Sequence, residues 1–194
     1  MEERKIGRKL VVIGGSAGSL DMLLDIIPRI DPAIDYPIVL VVHRRVSNDD
    51  VLADLLGTKT TMPVKEAEEK ELLRAGHIYI APGNYHLLFE HNHSVSLDDS
   101  ERINYSRPSI DVSFQSAADI YGPGLTCILL SGANADGVEG CRYAQGKGAF
   151  TIAQCPGTAG VAYMPQQAID NKVVNEVMGA SSMVGYLNSR SAKQ

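Results

Sequence analysis

KLVVIGGSAGSLDMLLDII, from Lys9 to Ile27, runs an apolar segment into a glycine-rich turn and then into a helical stripe. Lys9 to Ile13 predicts a strand. Leu20, Leu23, Leu24 and Ile27 fall at i, i+3, i+4 and i+7, one face of a helix that Pro28 helps to close. A strand that turns straight into a helix is the first half of a βαβ unit, and such units build parallel sheets. The pattern returns downstream. Ile38 to Val42 is apolar throughout, as expected of a strand covered on both faces, and Asp49 to Leu56 reads as a short helix. Leu125 to Leu130 reads as a central strand, Val138 to Gln145 as a helix and Ala149 to Ala153 as another strand.

Ile110, Phe114, Ala117, Ala118 and Tyr121 form the strongest helical stripe, with Ser109 as N-cap and Gly122-Pro123 as the stop. Pro165 suits a helix N1 position, and Val174 to Leu187 predicts a C-terminal helix. The middle of the chain breaks the alternation. His77 to Ala81 and Leu87 to Glu90 flank Pro82-Gly83-Asn84 as a hairpin, with Ser94 to Leu97 as a further strand. The expected architecture is α/β: a doubly wound, mostly parallel sheet with helices on both faces and a small antiparallel hairpin, in one domain over residues 1–194.

Composition narrows the function classes. The 194 residues suffice for one hydrophobic core, and apolar residues at 44% with charged residues at 21% are globular proportions. Lys plus Arg number 18 against 23 Asp plus Glu, a net charge of −5 with no basic run, which argues against a nucleic-acid partner. The longest apolar stretches fall far short of the roughly 20 residues a bilayer span needs, so no membrane insertion is expected. MEERKIGRKL at the N-terminus lacks a secretory h-region, and Cys127, Cys141 and Cys155 lack CxxC pairing. Free thiols in a cytoplasmic protein are the expectation.

Chemistry-bearing residues gather where predicted strands end in glycine-rich turns, the usual place for sites on open parallel sheets. Gly14-Gly15-Ser16-Ala17-Gly18-Ser19 can lift the Ser16 hydroxyl above the sheet edge among helix N-terminal N–H groups; equally, it can cradle a phosphate. It matches neither GxGxxG nor the P-loop, and only loosely the G-x-S-x-G elbow. His43 is the first polar residue after Val39 to Val42, where a hydrogen-bonded structural histidine is the plainer reading. Asp136, in Ser131-Gly132-Ala133-Asn134-Ala135-Asp136-Gly137, has a plain role as N-cap of the helix beginning near Gly137. The conjunction is more informative: Ser, His and Asp at strand ends on one sheet edge meet the needs of a nucleophile, a base and an orienting acid. A nucleotide- or phosphate-binding module and a non-catalytic signalling protein of the same fold remain the alternatives.

GGSAGSLDML, VVHRR, GHIYIAPGNYH, RPSIDVSFQSAA, LLSGANADGVEG and AYMPQQAI, in this order, resemble the catalytic domain of the bacterial chemotaxis protein-glutamate methylesterases, over roughly Lys9 to Ile169. That family carries its serine in G-A-S-x-G-G, its histidine in Q-H-M and its aspartate in T-G-M-G-x-D-G, which fall here on Ser16, His43 and Asp136. Departures are local: Gly18-Ser19 for Gly-Gly, Val42 and Arg44 around the histidine, and Ala133-Asn134 for Met-Gly. The catalytic types stay and the walls around them change.

The resemblance implies hydrolysis of glutamate γ-methyl esters on the cytoplasmic helices of a methyl-accepting chemotaxis receptor or related sensory protein, with glutamine deamidation as a second reaction and no cofactor. Ala17 would supply an oxyanion donor, with a second from the Gly132 to Asn134 stretch, Ala133 or Asn134 first. Arg107 could contact an acidic substrate, but pairing with a nearby Asp or capping of carbonyls is the plainer reading. Arg44 and Arg45 divide likewise between substrate contact and solvated charge. His86, His91 and His93 lack partner carboxylates or thiols and are expected to be non-ligands, and Cys155 a packed thiol. Family members commonly carry an N-terminal receiver domain. The residues before Lys9 are far fewer than the order of 100 a domain needs, so the expectation is a chain without a receiver, either stand-alone or a fragment.

Overall fold

The computed structural model describes residues 9–44 and 51–191. Seven parallel strands form the main sheet: β1 (Leu10–Gly15), β2 (Ile38–Val42), β3 (Val64–Glu66), β4 (Ile78–Ile80), β7 (Leu125–Leu129), β8 (Phe150–Gln154) and β9 (Glu176–Met178). Their spatial order is β3-β4-β2-β1-β7-β8-β9. A separate antiparallel hairpin pairs β5 (His86–Phe89) with β6 (Val95–Asp98). The helices are α1 (Ser19–Ile26), α2 (Val51–Gly57), α3 (Ile110–Tyr121), α4 (Val138–Gly146), α5 (Tyr163–Asp170) and α6 (Ala180–Arg190).

Strand alternation divides the core in two. Val12, Val39, Val41, Cys127 and Leu129 pack on one face with Ile110 and Phe114 of α3, Cys141 of α4, Met164 of α5 and Leu87 of the hairpin. Val11, Ile13, Ile38, Leu40 and Ile128 pack on the other with Leu23 of α1, Leu56 of α2 and Leu187 of α6. Both faces are therefore dry, which is why these strands read as unbroken apolar runs.

Chain order reverses at β1, which pairs with β2 on one side and β7 on the other, so a crevice opens above their C-terminal ends. Two hydrogen bonds extend the ladder past the strands. The Ser16 N–H donates to Ser131 O at 2.9 Å and the His43 N–H to Gly15 O at 3.1 Å. These bonds draw the three turns together.

Several sequence expectations are corrected. His77 to Ala81 is not half of a hairpin: Ile78, Tyr79 and Ile80 are almost wholly buried and pair in parallel with β2, so their apolar run marks an internal strand. The hairpin lies downstream, and its turn places His93 at φ 64°. Val174 to Leu187 is not one helix. Asn175 Oδ1 accepts from the Thr151 N–H at 2.8 Å, drawing Glu176–Met178 onto the sheet edge, and α6 starts only after Gly179. Pro165 stands third in α5, still within the first turn, where a missing N–H loses no helical bond. The α1 stripe buries Met22, Leu23 and Ile26, while Leu20 is 39% exposed. Asp49 and Asp50 of the second predicted helix lie outside the described residues. β3, three half-buried residues of which two are charged, gave no sequence signal. Among the described residues no helix is long and apolar enough to cross a membrane.

Candidate active site

Gly18 adopts φ 76°, a left-handed conformation that glycine tolerates at no steric cost, and a Cβ there would stand 2.7 Å from Ser131 Oγ. Ser131 fastens this turn. Its hydroxyl donates to Ala17 O at 2.7 Å and meets Val161 O at 3.0 Å, and it accepts from the Val161 N–H at 2.8 Å. Ser19, the residue that departs from the family pattern, is buried beneath the turn and donates its hydroxyl to Ser16 O at 2.7 Å. The departure therefore thickens the support of the turn and leaves the cleft unobstructed. Ser16 itself is half-buried at the sheet edge, and no hydrogen bond among the described residues uses its hydroxyl.

His43 Nε2 meets Asp136 Oδ2 at 2.6 Å, with the histidine side chain 13% exposed and the aspartate side chain fully buried. The plainer alternative for Asp136, a cap on its own helix, does not hold. The N-cap of α4 is Gly137, with no side-chain hydrogen bond. Asp136 reaches instead to the start of α3, accepting from the N–H of Ile110 at 2.7 Å, the N–H of Asp111 at 2.9 Å and the Ser109 hydroxyl at 3.1 Å. Burial pushes its carboxyl up. The His43 hydrogen bond and the Asp111 and Ile110 N–H groups outweigh that, and the carboxyl is held below the ordinary range. An ionised, preorganised acceptor thus fixes the His43 ring.

The N–H groups of Ala17 and Ala133 donate to nothing among the described residues, and both alanines are exposed beside Ser16 and Asp136 respectively. The Gly132 N–H is committed to Val161 O at 3.0 Å, and Asn134 uses its Oδ1 to hold the Asp136 N–H at 3.0 Å. Asn134 therefore shapes the turn.

A cleft of about 380 Å³ beside His43 is lined by Arg44, Asn84, Arg102, Tyr105, Ser106, Arg107 and Pro108, with no carboxylate among them. Arg107 caps carbonyls, donating to Asp99 O at 2.5 Å and Ser100 O at 2.7 Å, and also bonds Asn84 Oδ1 at 2.7 Å. All three acceptors are neutral groups, and the Asp98 carboxylate also feels the Arg107 charge. Arg44 pairs with Glu66; Arg45 lies outside the described residues.

His86 is buried, with Nδ1 accepting from the Ser109 N–H at 3.1 Å and Nε2 at 2.9 Å from Glu101 O. One ring nitrogen accepts and the other faces a carbonyl, so the imidazole is a structural part that holds the start of α3. No cluster among the described residues has the makings of a metal site. Sequence reasoning missed Ser131, His86 and Asp111, and it saw Ser109 only as the α3 cap. Ser109 does accept from the Val112 N–H at 3.3 Å, but it also touches Asp136. The RPSID run, flanking a helix start, was the available signal.

The doubly wound parallel sheet brings a serine turn and a buried His–Asp pair to its switch point. The CheB methylesterase family model matches residues 11–187. A Leptospira interrogans protein named for protein-glutamate methylesterase and protein-glutamine glutaminase is 39% identical over 168 residues, 87% of each chain. A Thermotoga maritima protein of the same name is 36% identical over 90% of this chain, which spans 52% of that relative's length. The crystal structure of the Thermotoga maritima CheB methylesterase catalytic domain superposes with a TM-score of 0.90 at 33% identity, over 93% of this chain and 97% of that one. The chain belongs to the CheB methylesterase family, and so to the ester hydrolases.

Proposed function

We propose that this protein hydrolyses glutamate γ-methyl esters on the cytoplasmic helices of a chemoreceptor or related sensory protein, through Ser16, His43 and Asp136. The observation that carries the reading is the 2.6 Å contact between His43 Nε2 and buried Asp136, one strand from the Ser16 turn, in a member of the methylesterase family. Family membership also favours hydrolysis over phosphate cradling by the Gly14–Ser19 turn.

Because Nε2 is engaged by Asp136, Nδ1 is the nitrogen left to take the Ser16 proton, the reverse of the assignment in chymotrypsin-type triads. Ser16 Oγ attacks the ester carbonyl as His43 accepts its proton, and the N–H groups of Ala17 and Ala133 receive the oxyanion. Collapse expels methanol, which takes the proton from His43. Water then adds to the acyl-enzyme, again losing its proton to the imidazole, and Ser16 leaves with that proton as the glutamate carboxylate is released. A glutamine side chain would follow the same course with ammonia as leaving group. Arg107 and Arg102 make the cleft wall attractive to acidic residues around the ester, so an acidic receptor helix fits it.

A serine-directed acylating probe followed by mass spectrometry tests the assignment. The expected adduct is on Ser16 and absent from His43→Ala; an adduct elsewhere, or none, overturns it.

A further inference from the structure

Asp111 takes no part in the steps above, yet it is only 7% exposed and lies against Asp136. Ionisable side chains reach such burial only when partnered. Its Oδ1 accepts from the N–H of Gly137 at 2.9 Å and of Gly140 at 2.6 Å, the first turn of α4. Asp136, preceding α4, accepts in turn from the first turn of α3, including the Asp111 N–H. Each helix start is thus capped by a carboxylate from the other helix's segment, where the N-terminal end of the dipole favours negative charge. Gly140 permits the approach: a Cβ there would stand 2.8 Å from Phe114 Cβ and 3.0 Å from Asp111 Cα.

Asp136 meets His43 through Oδ2 and the Asp111 N–H through Oδ1, so the Asp111 carboxyl stands behind the one that orients the base. The titratable groups facing Asp111 are Asp136 from the turn, Cys141 from α4 and, beyond Asp136, His43 after β2. No ion pair among the described residues offers Asp111 a cation. Burial first, and the Asp136 charge second, push its carboxyl up to about 6, while burial holds the Cys141 thiol neutral.

We propose that Asp111 is a positioning residue of the triad: it braces the turn that carries Asp136 and places a second buried carboxyl behind the one that meets His43. This rests on the triad reading given above. Ionised Asp111 adds to the negative field at the imidazole and strengthens the base, and its two N–H contacts keep Asp136 from turning away.

The test uses the full chain with Asp111→Asn, which keeps an acceptor for both N–H groups and removes the charge. The His43 ring resonances are titrated by NMR, and the pH dependence of kcat/KM is measured on a small neutral ester. Removing one nearby charge is expected to move the His43 titration and the acid limb together toward lower pH, by about half a unit to one unit. Asp111→Ala loses the brace as well, and kcat falls at least several-fold further. Curves for Asp111→Asn that superpose on wild type in both measurements would overturn the role, since a structural part alone moves neither. If Asp111→Asn does not fold, the wild-type chain decides: His43 ring shifts with an inflection that tracks the Asp111 13C carboxyl titration support the proposal, and His43 shifts that do not respond as Asp111 titrates overturn it. The NMR readings need no substrate, so they can fail while the triad stands. Activity surviving in Ser16→Ala would sink the triad and leave the titration intact.

Discussion

Asp111 and Asp136 exchange helix ends: Asp136 binds the peptide N–H groups that open α3, and Asp111 binds those that open α4. The orientation of His43 therefore depends on how two helices meet as well as on one turn.

Ser16→Ala and His43→Ala are each expected to lower ester hydrolysis by about four orders of magnitude, with the double variant no worse than either single, because triad members act as a unit. Both residues sit at the sheet edge outside the two core clusters, so melting temperatures should stay near wild type. Steady-state kinetics with parallel melts check this; additive losses would count against shared chemistry.

The buried carboxyls titrate with opposite effects on stability. Asp136, depressed on folding, contributes stability that is present above its ordinary value of 3.8 and lost as pH falls through its folded value. Asp111, raised to about 6, contributes stability that is full below 3.8 and lost as pH rises through about 6. Asp111→Asn should therefore gain on wild type between pH 4 and pH 7. Thermal melts across that range check the slope, and a constant difference would contradict it.

Gly140→Ala places a methyl against Phe114 Cβ and the Asp111 backbone, neither of which is a flexible side-chain end. The expected cost is about 1–3 kcal/mol from overpacking. Activity should fall with it as α3 and α4 part and the Asp136 turn shifts. Denaturant unfolding and kcat on one preparation check the pair; a stable, fully active variant would contradict the close approach.

Much of this was legible in the sequence. β1, β2, β7 and β8 were readable because burial on both faces leaves an apolar run that no helix stripe imitates, and the turns that carry Ser16, His43 and Asp136 were readable because each follows such a run. β9 was not, since its place on the sheet edge is set by Asn175 reaching Thr151, a contact 24 residues away that no local propensity encodes. The carboxylate exchange was hidden for the same reason. Asp136 looked like a cap for the helix beside it, and only the packing of α3 on α4 turns it to another.

Salt should separate the two kinds of substrate. Arg102 and Arg107 line a cleft without carboxylates, so attraction of an acidic receptor helix should weaken as the Debye length falls from about 10 Å at 0.1 M toward 3 Å at 1 M. KM for a methylated receptor fragment is expected to rise several-fold over that range, and KM for a small neutral ester to change little. Equal responses would remove the cleft from substrate recognition.

The most direct measurement is methanol release from a methylated receptor fragment, with wild type and Ser16→Ala assayed in parallel and new carboxylates counted by mass spectrometry. The account predicts one methanol per carboxylate from wild type and none above background from Ser16→Ala. Equal release by the two proteins, or none by folded wild type, would contradict it.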